Sequence, residues 1–164
     1  MAFIESMPSI AVIIDSGASI IPPPSNRPLF ITVPQTVTIR SDSYPDWQTP
    51  SASFYESLTA HPEWYKTSAT NADLYFQAYE AGANWAKHIL CIVPSPKLSA
   101  AYNSARIAQR QFEARFGTTP EIQVINSKSG GPGTSILILY LAQLISQRSS
   151  IQDIKSQLIK AIGQ

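Results

Sequence analysis

The side chains able to do chemistry lie in four short polar segments: Asp15-Ser16, Thr67-Ser68, Ser95 to Ser99, and Asn126 to Thr134. The third is the most informative. An apolar run, Ile89 to Val93, stops at Pro94, and Ser95 and Ser99 bracket the point where a helical pattern begins. A helix N-terminus carries partial positive charge and unpaired N–H donors, so hydroxyls arranged there suit a small anion such as a carboxylate or phosphate. The same serines also fit an ordinary N-cap. Thr67-Ser68 reads as a polar loop between two helices, and Ser and Thr are common turn formers in any case.

Catalytic constellations are sparse. His61 precedes Pro62 in a turn and His88 enters a strand, and neither has a nucleophile beside it, so both read as structural. One cysteine and two distant histidines, without H-E-x-x-H or C-x-x-C spacing, give no metal set. The stretch SGGPGTS (129–135) looks like a phosphate loop but lacks the lysine that follows the last glycine of that motif. Its glycines then supply backbone freedom at a helix entrance. A small phosphate-binding or hydrolytic enzyme domain built on this loop and Asp15-Ser16 stays open as an alternative, as does a non-catalytic interaction domain.

These segments need a scaffold, and the apolar periodicity supplies one. Ser9 to Ile14 is a β-branched run halted at Asp15, the pattern of a buried strand. A proline-rich stretch follows, with short strands at Leu29 to Val33 and Thr36 to Ile39. A helix starts after Thr49-Pro50, with Thr49 as cap and Phe54 and Leu58 on one face. A second starts at Thr70 with Asp73 completing its cap, and presents Leu74, Ala78, Ala81 and Trp85 as a stripe. Ile89 to Val93 is the next strand. The long helix after it turns Ala101, Ala105, Ala108, Phe112 and Phe116 inward and ends at Gly117. Glu121 to Ile125 is a further strand. Thr134 to Ile145 is apolar all round and reads as a buried helix, and Ser150 opens a last helix facing inward through Ile151, Ile154, Leu158 and Ala161. Strands alternating with helices imply an α/β fold, three layers with a mostly parallel sheet between helices. In such sheets ligands bind beyond the carboxyl ends of the strands, where the polar segments fall.

With 164 residues, 44% of them hydrophobic, one core is the expectation, and the chain reads as a single domain over 1–164. A net charge of +1 with no basic stripe argues against nucleic acid. The single Cys91 lies inside an apolar strand and fits a reducing compartment, the cytoplasm. No basic leader opens the chain, and no apolar run approaches the ~20 residues of a membrane span.

Taken in order, AVIIDS (11–16), Thr67-Ser68, KLSAAYNSA (97–105) and VINSKSGGPG (124–133) resemble the DegV family of bacterial lipid-binding proteins, over about Ile10 to Ile145. VPQTV (33–37) looks like that family's second strand and PSASFYESL (50–58) like its first well-formed helix. The resemblance implies fatty-acid binding without catalysis, the carboxylate held by hydroxyls and the acyl chain in an apolar tunnel. It implies no cofactor, a long-chain fatty acid as ligand, and a fatty acid kinase as the partner to which that ligand is presented. Carried over by position, Thr67, Ser68, Ser95 and Ser99 surround the carboxylate, with Asp15 and Ser16 beside them. Two departures stand out: Ser99-Ala100-Ala101 replaces the family's Ser-Gly-Thr step, and Pro96 replaces a hydroxyl. The resemblance also implies a second domain, which is absent here, so self-association through the open face is expected. Tyr75, Phe76, Tyr79, Ile136 and Leu139 could line such a channel, and each equally fits the plain core of a domain.

Overall fold

The structure, a computed structural model, describes residues 10–20, 29–48 and 51–163. Thr49-Pro50 and Ser9 lie outside these residues. Strand β1 (Ile10–Asp15) is central to a four-stranded parallel sheet of order β2-β1-β6-β7, completed by β2 (Leu29–Val33), β6 (His88–Val93) and β7 (Glu121–Asn126). Between β2 and β6 the chain builds a separate antiparallel sheet of order β4-β3-β5 from β3 (Thr36–Ile39), β4 (Asp42–Pro45) and β5 (Tyr65–Ser68), with helix α1 (Ala52–Ala60) between β4 and β5. Helices α2 (Ala72–Ala83), α3 (Ala101–Phe116), α4 (Gly131–Ser146) and α5 (Ile151–Gly163) complete the described chain.

The period-2 alternation of β1 divides the core. Ala11 and Ile13 face α2 and α3, with Tyr75, Ala78, Tyr79, Ala105, Ala108 and Phe112. Ile10, Val12 and Ile14 face α4 and α5, with Ile138, Leu141, Leu144, Ile154 and Leu158. The three-layer α/β expectation therefore holds for the main sheet. Apolar strands covered on both faces are what a parallel sheet demands.

Several local expectations shift. Thr67-Ser68 is no loop: it ends β5, with Thr67 opposite Val37 and Ser68 opposite Thr36. VPQTV is not one strand but the end of β2, a two-residue link and the start of β3. Ser51 caps α1, accepting from Phe54 N at 3.2 Å. Asn71, not Thr70, caps α2, accepting from Leu74 N at 3.0 Å. The buried stripe of α2 is Tyr75, Ala78, Tyr79 and Gly82, while Ala81 is exposed and Trp85 is 76% exposed. Phe116 is also exposed and caps an aromatic cluster with Phe76 and Phe112. Helix α4 begins at Gly131 and is not buried all round, because Ile136 is 67% and Leu139 51% exposed. Ala161 is exposed on α5, but Ile151, Ile154 and Leu158 are buried as expected, and the Ser150 hydroxyl accepts from Asp153 N and donates to Asp153 Oδ2.

Candidate functional site

Helices α2 and α3 cover one face of the parallel sheet, and the turn leaving β1 packs Ala18 into the other. The segment after β1 and the segment after β6 therefore diverge to opposite faces, and the strand order reverses between these neighbours. Such a switch point opens a crevice at the carboxyl ends of the strands. Asp15-Ser16 leaves the end of one of these strands, and Ser95 to Ser99 follows the end of the other.

Asp15 is fully buried and saturated with donors. Oδ1 accepts from Gly17 N at 2.8 Å and Gln35 Nε2 at 2.9 Å. Oδ2 accepts from Tyr75 OH at 2.7 Å and Thr70 Oγ1 at 3.1 Å. All these partners are neutral, and no ion pair to Asp15 occurs among the described residues. Burial above all, then the neighbouring Cys91 and Asp15, pushes the Tyr75 hydroxyl well above its usual pKa, which keeps it a donor. Asp15 thus has an internal role and presents no oxygen to a ligand.

Ser16, Ser95 and Ser99 are built differently. Each Oγ accepts one backbone N–H: Gln35 N reaches Ser16 at 2.8 Å, Lys97 N reaches Ser95 at 3.3 Å, and Ala101 N reaches Ser99 at 3.2 Å. None of the three donates its own proton to any described residue. A hydroxyl held as an acceptor in this way retains one donor for an outside group. Ser99 also stands where α3 begins, and Ala100, the residue before that helix, provides no side-chain cap.

The segment after β7 is tied to the same rim. Ser95 N donates to Ser129 O at 2.8 Å, and Ser127 Oγ lies 3.0 Å from Thr134 Oγ1 inside the turn. Ser127 also accepts from Ser129 N, so its hydroxyl is fully engaged. Gly131, with φ of +44°, occupies the left-handed region open to glycine, which lets the chain turn into α4. Ser135 Oγ donates to Ala18 O, joining α4 to the turn after β1.

Thr67 and Ser68 are exposed, and neither side chain has a partner among the described residues. Adjacent strand residues point to opposite faces, so Ser68 shares a face with Thr36, and Thr67 shares the other with Val37. The five expected tunnel residues do not line one channel. Tyr75 and Tyr79 are buried under α2, whereas Ile136 and Leu139 are exposed on α4 across the sheet. Tyr79 OH donates to Ala105 O at 3.1 Å, a structural bond.

Gln35, Thr70 and Tyr75, all central to this region, escape a reading by motif. Only the buried position of Asp15 at the end of an apolar strand signals that donors must gather there. Among the described residues no group of acidic, histidine or cysteine side chains is arranged to hold a metal, and no helix is long and apolar enough to cross a membrane. His61 stacks on Trp64 and His88 pairs with Glu121, away from the strands' carboxyl ends.

Comparison with known proteins gives one consistent family. The DegV family model matches residues 9–163. A DegV domain-containing protein of Streptococcus pneumoniae is 28% identical over 146 residues, which is 87% of this chain and 50% of that protein. Among solved structures, the fatty acid kinase (Fak) B3 protein of S. pneumoniae, loaded with linoleic acid, superposes with a TM-score of 0.77 at 25% identity, covering 93% of this chain and 53% of that one. A DegV family protein from Ruminococcus gnavus, described with vaccenic acid, has a TM-score of 0.78 at 24% identity, covering 94% and 54%, and supports the fold. The chain spans about half the length of the relatives it matches. Matched from the first described strand to the last helix, the chain belongs to the DegV family.

Proposed function

We propose that this chain is a fatty-acid-binding domain that holds a carboxylate through hydroxyl donors and catalyses nothing itself. The observation that carries the proposal is that the hydroxyls of Ser16, Ser95 and Ser99, at the ends of β1 and β6, each accept a backbone N–H and donate to no described residue. An ionised carboxylate only accepts hydrogen bonds, so three preset donors match it. The small sheet can add one hydroxyl, from Thr67 or from Ser68, because the two point to opposite faces. Lys97 and Lys128, exposed beside the serines, favour an anion there. The relatives are consistent with this chemistry, since the S. pneumoniae protein carries linoleic acid.

Leu98, 70% exposed, with Ile136 and Leu139 forms the apolar surface offered to the acyl chain. Burial is worth about 0.8 kcal/mol per CH2, so a tail covered on one side only gains part of that. An apolar face covered on one side only favours contact with a further protein surface, and self-association through it is proposed. The cytoplasm is the proposed location and a fatty acid kinase the proposed recipient. Native mass spectrometry after mild extraction tests the reading: a co-purified long-chain acid, with a rise in melting temperature on adding oleate, is expected. Neither bound lipid nor any thermal response to palmitate or oleate would overturn it.

A further inference from the structure

The chain leaves the main sheet after β2, builds β3, β4, α1 and β5, and returns to begin α2. Both junctions of this excursion meet at one carboxylate. Asp15 Oδ1 accepts from Gln35 on the outgoing junction, and Oδ2 accepts from Thr70 on the returning one. The single Thr70 proton is shared between Asp15 Oδ2 and Pro34 O, the latter 2.8 Å away, so the two junctions touch directly. Tyr75 extends the anchor into α2. The space is closed at Gly17, where a Cβ would lie 2.8 Å from Asp15 Oδ1 and nearer still to the Gln35 amide. Beyond the anchor, β3, β4 and β5 pack mainly on one another.

We propose that Asp15 is a positioning residue that pins the base of residues 36–68 and thereby sets where Thr67 and Ser68 stand relative to Ser95 and Ser99. The part concerning Ser95 and Ser99 rests on the head-group reading above. Asp15 acts through geometry, because its oxygens are engaged and its charge would repel a fatty-acid carboxylate. Fixing both ends of a long excursion at one point removes freedom that the poorly packed small sheet cannot restrict alone.

The test uses the full chain with Asp15→Ala, and with Thr70→Val combined with Tyr75→Phe, which keeps the carboxylate and removes two donors. Hydrogen exchange is followed separately in 36–68 and in β6, alongside oleate affinity. Exchange in β3 and β5 should rise about tenfold, the equivalent of one lost hydrogen bond, while β6 keeps its protection. Oleate affinity should fall in parallel, and Asp15→Asn, which retains an acceptor for Gly17 and Gln35, should restore part of both. Unchanged exchange in β3 and β5, or an equal rise in β6, overturns the pinning. Should Asp15→Ala fail to fold, the double variant decides. Altered exchange in a protein that never binds oleate leaves the pinning standing and removes the head-group reading; unaltered exchange with intact oleate binding does the reverse.

Discussion

Replacing Ser99 with Ala separates a helix cap from a ligand donor, because the two roles have different sizes. The Ser99 hydroxyl accepts from Ala101 N at 3.2 Å, and Ala100 contributes no cap of its own. Losing a bond of this kind costs about 1 kcal/mol, or roughly 2–4 °C of melting temperature in a chain of this size. A hydroxyl donating to a carboxylate is worth about 1.5–3 kcal/mol, which corresponds to roughly tenfold to 150-fold in Kd. Ser51→Ala supplies the control. Ser51 Oγ also accepts a backbone N–H at a helix start, from Phe54 three residues on at 3.2 Å, and in addition lies 2.8 Å from Ser53 Oγ, so its removal costs stability at least as much. Both variants should melt a few degrees early, and only Ser99→Ala should weaken oleate binding, read by isothermal titration well below the transition. Equal melting shifts with oleate affinity unchanged in Ser99→Ala would refute the donor assignment and leave the serine as a cap.

Three further outcomes are expected. Glu121 accepts from Lys155 Nζ at 2.5 Å and lies 3.2 Å from His88 Nδ1, and the Lys155 bond above all holds its carboxyl below the usual pKa. A lowered folded value means the contribution is fully present above the unfolded value of about 4.3 and is lost as pH falls through the folded one. The carboxylate is 55% exposed, so solvent screening limits the effect to about 1 kcal/mol or less, and Glu121→Gln should flatten the acid limb of stability measured by urea melts. Ile138→Ala, at a fully buried position, should cost about 2–5 kcal/mol in the same assay, whereas Ile136→Ala should stay within about 0.5 kcal/mol; equal losses would contradict the two-faced placement of α4. Burial pushes the Cys91 thiol up to about 12, so Ellman's reagent should react only at the rate of unfolding, and rapid labelling of the native protein would refute that burial.

The elements legible in the sequence are those whose periodicity reports burial. β1 and β6 are apolar runs ended by Asp15 and Pro94, β7 sets Ile122, Val124 and Ile125 among polar residues, and α3 and α5 have an apolar face, so their expected and observed bounds nearly coincide. The small sheet was half visible. Asp42 to Pro45 and Tyr65 to Ser68 are its two edges, short and polar, and nothing in their pattern separates them from loops. Helix α2 was placed correctly but rotated: both stripes share Ala78, yet the buried one runs through two tyrosines whose hydroxyls have partners at Asp15 and Ala105. A tyrosine can be core only when such a partner exists, and the sequence does not name it. Helix α4 misled in the opposite sense, since an apolar composition cannot distinguish a buried face from one left uncovered.

The same limit governs the candidate site. Serine is one residue type in the sequence but three in the structure. Ser51 spends its oxygen on an exposed helix start, and Ser127 is engaged on both sides within a turn. Ser16, Ser95 and Ser99 each accept a backbone N–H and donate to no described residue. Ser16 leaves β1, and Ser95 and Ser99 leave the neighbouring β6, where the chain departs to opposite faces of the sheet. The fold therefore selects the place. In the proposed reading each serine, having accepted one N–H, offers one proton to an anion, and the exposed Lys97 and Lys128 supply the bias toward negative charge. Asp15 belongs beneath this set. A carboxylate at the rim would cancel its preference for an anion, whereas a carboxylate sealed by four neutral donors can hold the surrounding segments in place without facing the head group.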